Sequence, residues 1–170
     1  LVIGGALAYG GSVTNASGRQ VTILSAGNDS SKSFNVVGTD VNGAALTENV
    51  TGANAGTATS SGYFKTIASI TAVGNPAGNV SAGINNNALG VIFAGRSRLK
   101  GFSFVSGGTA GKANIRNSGA TGTELIQFRS IGTDSTTDDP FIPDEGVLFT
   151  EGCYVTFIVT TMDLLMFYHA

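Results

Sequence analysis

The chain has 170 residues, 42 % of them hydrophobic and 12 % charged, with 25 Gly, 10 Phe, 4 Tyr, 3 Pro, one His, one Cys, no Trp and a net charge of −2. One cysteine excludes an internal disulfide scaffold, the aromatic and β-branched content speaks against disorder, and the near-neutral balance offers no basic face for nucleic acid. The length suffices for one compact domain or two small ones.

Short β-branched and aromatic runs, separated by Gly, Asn, Asp and Ser, predict an all-β chain built as one or two small antiparallel β-sandwich modules, Ig-like or jelly-roll-like. The opening Leu1 to Ala8 is apolar but has no basic stretch before it and no Met, so it reads as a processed or incomplete start and not as a signal peptide. Strands are expected at 20–25, 33–38, 45–51, 63–73 and 80–84. Alternation sets Phe34 with Val36 on one face, and Phe64 with Thr66, Ala68 and Ile70 on another. Turns are expected at Gly27-Asn28-Asp29, Val41-Asn42-Gly43-Ala44 and Asn75-Pro76-Ala77-Gly78. Asn42-Gly43 is the strongest hairpin signal, because both residues tolerate positive φ.

The polar run Asn85-Asn86-Asn87 reads as a linker or sharp crossover, dividing an N-terminal module at 1–88 from a C-terminal one at 89–170, packed separately or as one continuous unit. Further strands are expected at 99–105, 112–117, 124–131, 146–149, 153–160 and 162–168. Gly107-Gly108 and the run from Ser118 to Gly122 are turn-rich enough to join neighbouring strands as hairpins. The long loop from Thr133 to Glu145 holds two of the three prolines and five acids, and loops of this length are usually functional or mobile. Gly38-Thr39-Asp40 recurs as Gly132-Thr133-Asp134, a faint sign of two related modules. The longest apolar stretch, Tyr154 to Tyr168, is interrupted by Thr156, Thr160, Thr161 and Asp163 and is too short for the roughly 20 residues of a membrane helix.

Catalysis needs groups suited to proton transfer or nucleophilic attack, and few are present. His169 lies next to Ala170, at a place in the chain where a triad histidine would be poorly held. Cys153 opens an apolar strand with no adjacent Lys or Arg to favour its thiolate. The run from Ser106 to Ala113 imitates a phosphate-binding loop, but Ser106 stands where the motif needs Gly and Ala113 where it needs Ser or Thr. Asp134, Asp138, Asp139, Asp144 and Glu145 crowd the long loop without the alternating spacing of a calcium loop, so they read as a solvated or partner-facing set. Arg96, Arg98 and Lys100 form the basic cluster at alternating strand positions, available to pair with the acidic loop of a neighbouring copy. Asn15, Asn28, Asn49 and Asn79 head glycosylation sequons of the kind that arise by chance in so Asn-, Ser- and Thr-rich a chain. No metal, cofactor or catalytic residue is assigned, and no enzyme activity is expected.

The stretch 21–84 carries Gly38-Thr39-Asp40, the Asn42-Gly43 turn, Leu46-Thr47-Glu48 and Tyr63-Phe64-Lys65-Thr66-Ile67 in order. In this it resembles a module of virion structural proteins of tailed bacteriophages, marine ones especially. The second half, with Ile142-Pro143-Asp144-Glu145-Gly146-Val147-Leu148-Phe149, then Gly152-Cys153-Tyr154-Val155 and the closing Phe167-Tyr168, is similar to another phage element. The resemblance implies a non-enzymatic virion protein assembled in the bacterial host cytoplasm. It points to a capsid decoration or cement protein, binding the major capsid protein or other virion proteins as a homo-oligomer, without nucleic acid or membrane. The alternatives are a tail, fibre or head-appendage subunit touching the host, or a carbohydrate-binding module, which the lack of Trp disfavours. It supplies no active-site residue. Partner contact is expected from the loop acids and the basic cluster.

Overall fold

A computed structural model describes residues 8–9, 11–106, 108–130, 132, 137–138, 142, 145–158 and 162–169. Every regular element among them is a strand, and the pairings are antiparallel. The chain forms two compact units, Leu1–Asn85 and Asn86–Ala170.

The first unit contains β1 (Ala8–Tyr9), β2 (Ser12–Ser25), β3 (Ser33–Thr39), β4 (Ala45–Thr51), β5 (Thr57–Thr59), β6 (Phe64–Val73) and the first part of β7 (Val80–Phe93). Its strands run β4-β3-β6-β2-β7, with β1 and β5 also paired to β2. β2 pairs with β6 near its start, shifts register between Thr14 and Arg19, and takes β5 as partner at Thr22 to Leu24. Asn15 is buried at this break and donates from Nδ2 to the Phe64 carbonyl at 3.1 Å, so the irregular backbone stays satisfied. β5 also lies near β4, so the sheet curls around its own core. Val21, Ile23, Phe34, Val36 and Phe64 are fully buried there.

The expected β3–β4 hairpin forms, but by a different turn. Gly43 alone has positive φ, at 83°; Asn42 does not. Asp40 Oδ1 accepts from the backbone N–H of Asn42 at 2.8 Å and of Ala44 at 2.9 Å, an Asx cap that leaves left-handed backbone only to glycine. β6 departs from the expected alternation: Phe64, Ile67 and Ile70 are buried, whereas Ala68 is exposed and Thr66 half-buried. The β3–β6 register skips at Ala68, with Val37 opposite Ser69 and Gly38 opposite Ile67. One extra residue reverses the faces on either side of it.

The two units divide within the asparagine run, after Asn85, but not by a linker or sharp crossover: Asn85 to Asn87 lie inside β7. Asn85 Nδ2 donates to Gln20 Oε1 at 2.9 Å, so a polar run that looked like a break is paired in strand geometry. β5 was not anticipated, because Thr57 to Thr59 lack aromatic or long apolar side chains.

The second unit takes the rest of β7 and adds β8 (Ser97–Ser106), β9 (Gly111–Asn117), β10 (Glu124–Ser130), β11 (Thr137–Asp138), β12 (Val147–Phe149), β13 (Cys153–Ile158) and β14 (Met162–His169). It is a two-layer sandwich. One layer runs β10-β9-β13-β7; the other centres on β8, with β14 on one edge and β11 and β12 on the opposite edge. Phe102 and Phe104 from β8 meet Phe128 from β10, with ring centroids 4.2 and 5.2 Å apart. Ile115, Phe149, Cys153 and Val155 complete the buried core.

The turn from Ser118 to Gly122 joins β9 to β10 as expected, using positive φ at Ser118 and Gly119. The connection after β8 is not a hairpin, since β8 and β9 belong to different layers. The repeated Gly-Thr-Asp also splits: Gly132 has a φ of 81°, whereas Gly38 sits within a strand at ordinary φ. The two glycines answer different constraints, and Thr133 and Asp134 lie outside the described residues.

Candidate functional site

The basic cluster sits at the start of β8, on the side facing solvent. Arg96 and Lys100 are exposed and Arg98 is half-buried. The alternating partners Ser97 and Leu99 point inward and are buried. β12 pairs alongside, with Leu148 opposite Arg98 and Val147 opposite Leu99. That register delivers the end of the acidic loop to the cluster.

Arg98 Nη1 lies 3.5 Å from Glu145 Oε2 and donates to the Glu145 carbonyl at 3.2 Å. Glu145 is thus in reach of Arg98 of its own chain. Gly146, with a φ of 74° and its backbone against the Leu99 carbonyl, sets this end of the loop beside β8. An exposed pair of this kind contributes about 0–1 kcal/mol. Its use is to order the loop end. Asp138 stands on β11, with its backbone opposite Phe104; its side chain, together with Asp134, Asp139 and Asp144, lies outside the described residues.

The residues weighed for catalysis are placed otherwise. His169, at the end of β14, is exposed and stands opposite Arg98 in the β8–β14 register. Cys153 is buried in the sandwich, and burial pushes its thiol up from 9.0 to about 12. A buried neutral thiol is a poor nucleophile. Native protein is therefore expected to resist thiol reagents at pH 8 and to react fully once unfolded, as a colorimetric thiol titration would show. Because the folded pKa is raised, the native state keeps a proton that the unfolded chain releases between about pH 9 and 12. The thiol's contribution to stability is complete below pH 9 and is lost as pH rises through that window.

Among the described residues no group of three or more His, Cys, Asp or Glu is arranged to hold a metal, and no helix is long and apolar enough to cross a membrane. Two carboxylates that the sequence placed only in a turn and a strand are prominent in the structure. Asp29, fully buried, accepts from the Ala77 N–H at 2.7 Å through Oδ1, while its own N–H donates to the Ala53 carbonyl. It ties three loops of the first unit together. Glu48 accepts from the N–H groups of Ser61 and Gly62 at 2.7 and 2.8 Å. Their only sequence signals were a turn-like Gly-Asn-Asp and the Leu-Thr-Glu strand.

No protein-family model, curated protein or solved structure matches the chain.

Proposed function

We propose that the chain is a non-enzymatic structural protein of a tailed-bacteriophage particle, acting as a capsid decoration protein that binds the shell of major capsid protein and stabilises it. The observation that carries this reading is the use made of the residues behind the phage resemblance. Asp40 caps a turn, Glu48 holds the Ser61-Gly62 backbone, and Phe64 fills the core. The two acids of the motif are used to hold backbone N–H groups of turns, a structural use of carboxylates that suits a particle protein.

Arg96, Arg98, Lys100 and Glu145 are the charged surface proposed to touch the shell. Purified chain added to capsids lacking it is expected to occupy every equivalent lattice position in a particle reconstruction and to raise the temperature at which the capsids open. Arg96→Ala with Lys100→Ala is expected to lower occupancy at low salt while leaving the chain's own melting temperature within a few degrees. Density confined to one vertex would instead make it an appendage subunit. Cleavage of a glycan by the purified chain would overturn the structural reading.

A further inference from the structure

We propose that β14 is a dimerisation edge, pairing antiparallel with β14 of a second copy so that the β8-centred sheet of the second unit continues across a two-fold axis. Three observations lead there.

The first is the open main chain. β14 pairs with β8 along its whole length, and no other described strand lies on its far side. An edge of this kind presents unpaired N–H and C=O groups. Edges that must stay single are usually guarded by Lys, Pro, a bulge or an inward charge. β14 has no Lys or Pro, and the register skip beside it falls at Lys100, on β8.

The second is that apolar residues occupy both faces. Leu164 and Met166 pack against the core. Leu165 and Phe167, pointing the opposite way, are 59 % and 56 % exposed. A strand with one wet face alternates apolar with polar; apolar side chains on the outward face beside an open edge gain cross-strand neighbours when a further strand pairs alongside. From Leu164 to Tyr168, between Asp163 and His169, β14 reads Leu-Leu-Met-Phe-Tyr.

The third is self-complementarity, which selects a second copy as the occupant. A two-fold axis perpendicular to the sheet keeps each outer face outward, so odd-numbered positions must meet odd-numbered positions. With Met166 on the axis, Leu165 stands across from Phe167 of the second copy, and the acidic position Asp163 across from its His169. Both pairings then occur twice, once on each side of the axis. Moving the axis to Leu165 sets Asp163 against Phe167; moving it to Phe167 sets Leu165 against His169. Only the Met166 register matches apolar with apolar and acid with histidine throughout.

The inference concerns the isolated chain and does not rest on the capsid reading; either can fail while the other stands. Sedimentation velocity of the purified chain is expected to show a dimer at micromolar concentration, and Leu165→Lys with Phe167→Lys to shift it to monomer. Because both side chains are exposed, the double variant should keep the parent circular dichroism and melting curve. The register is read by oxidative cross-linking. A mixture of Leu165→Cys and Phe167→Cys chains should form disulfide-linked dimers in clear excess over either variant alone, since residues directly opposite across a strand pair come within disulfide reach. A parent chain that remains monomeric at hundreds of micromolar would overturn the proposal. So would an unchanged dimer in the lysine variant, or a single-cysteine chain cross-linking as well as the mixture. Protection of the β14 amides only upon binding to particles would also overturn it, by assigning the edge to another protein.

Discussion

Truncating Phe128 to alanine is expected to destabilise the protein by about 3–5 kcal/mol, the range for removing a buried aromatic from a core that cannot collapse around the gap. Phe128 is where the two layers of the second unit meet. Its ring packs at 64° to Phe102 and at 39° to Phe104, so truncation removes two aromatic contacts as well as buried area. Each such contact adds about 0.5–1.5 kcal/mol beyond the area term. β8 and β10 do not pair, so main-chain hydrogen bonds between these two strands do not compensate. The check is the urea midpoint of unfolding for the parent, Phe128→Leu and Phe128→Ala. Leucine should lose markedly less than alanine. A loss below about 1 kcal/mol for alanine, typical of a surface position, would mean that the layers are not held by this cluster.

Gly38→Ala is expected to cost about 3 kcal/mol, near the top of the usual range for overpacking, although Gly38 has ordinary φ. A methyl group there would overlap the Thr66 carbonyl, lying 2.8 Å from its carbon and 3.2 Å from Ile67 Cα. Both obstacles are backbone of a paired strand, and neither can move without opening the ladder. Thr39, next in line, has its N–H bonded to Thr66 Oγ1 at 3.1 Å and its hydroxyl 2.8 Å from the same atom, which holds β3 against β6 at the point of conflict. Gly43→Ala is the instructive comparison. Its φ is positive but nothing lies within 4 Å, so only backbone strain of roughly 1–2 kcal/mol opposes it. Gly38→Ala should therefore unfold at a lower urea concentration than Gly43→Ala; the reverse order would show that the close β3–β6 approach is not rigid.

These two glycines show how far the motif was legible. In Gly38-Thr39-Asp40 a turn could be read from Asp40 and Asn42-Gly43, because Asx caps and left-handed glycine act over a few residues. The reason for Gly38 could not be read, since the obstructing carbonyl belongs to Thr66 on another strand. β3 and β4 fall close to the expected bounds for the same local reasons. β6 was expected in nearly the right place, with Phe64 and Ile70 inward as found, but Ile67 takes the buried position expected of Thr66 and Ala68. A bulge is set by the partner strand's register, and alternation along a single strand cannot register it.

The charged surface divides in the same way. The alternating Arg96, Arg98 and Lys100 were recognisable as one polar strand face. That Arg98 holds Glu145 of its own chain follows from the β8–β12 register. Glu48 and Asp29 were the harder cases. Each is a carboxylate in a polar neighbourhood of the sequence, and each becomes a structural keystone only when backbone N–H groups from Ser61-Gly62 or Ala77 arrive from elsewhere.

By itself the sequence determined the secondary structure class, most of the strands, the place of the turn between β3 and β4, and the poverty of reactive groups. Those properties depend on residue type, alternation and short-range hydrogen bonding. Only the tertiary structure decided that Asn85 to Asn87 continue a strand, that β8 and β9 lie in different layers, and that, among the described strands, β14 pairs with β8 alone. Each of those depends on which distant backbone supplies the hydrogen bonds, and strand pairing is a choice among many edges that resemble one another along the chain.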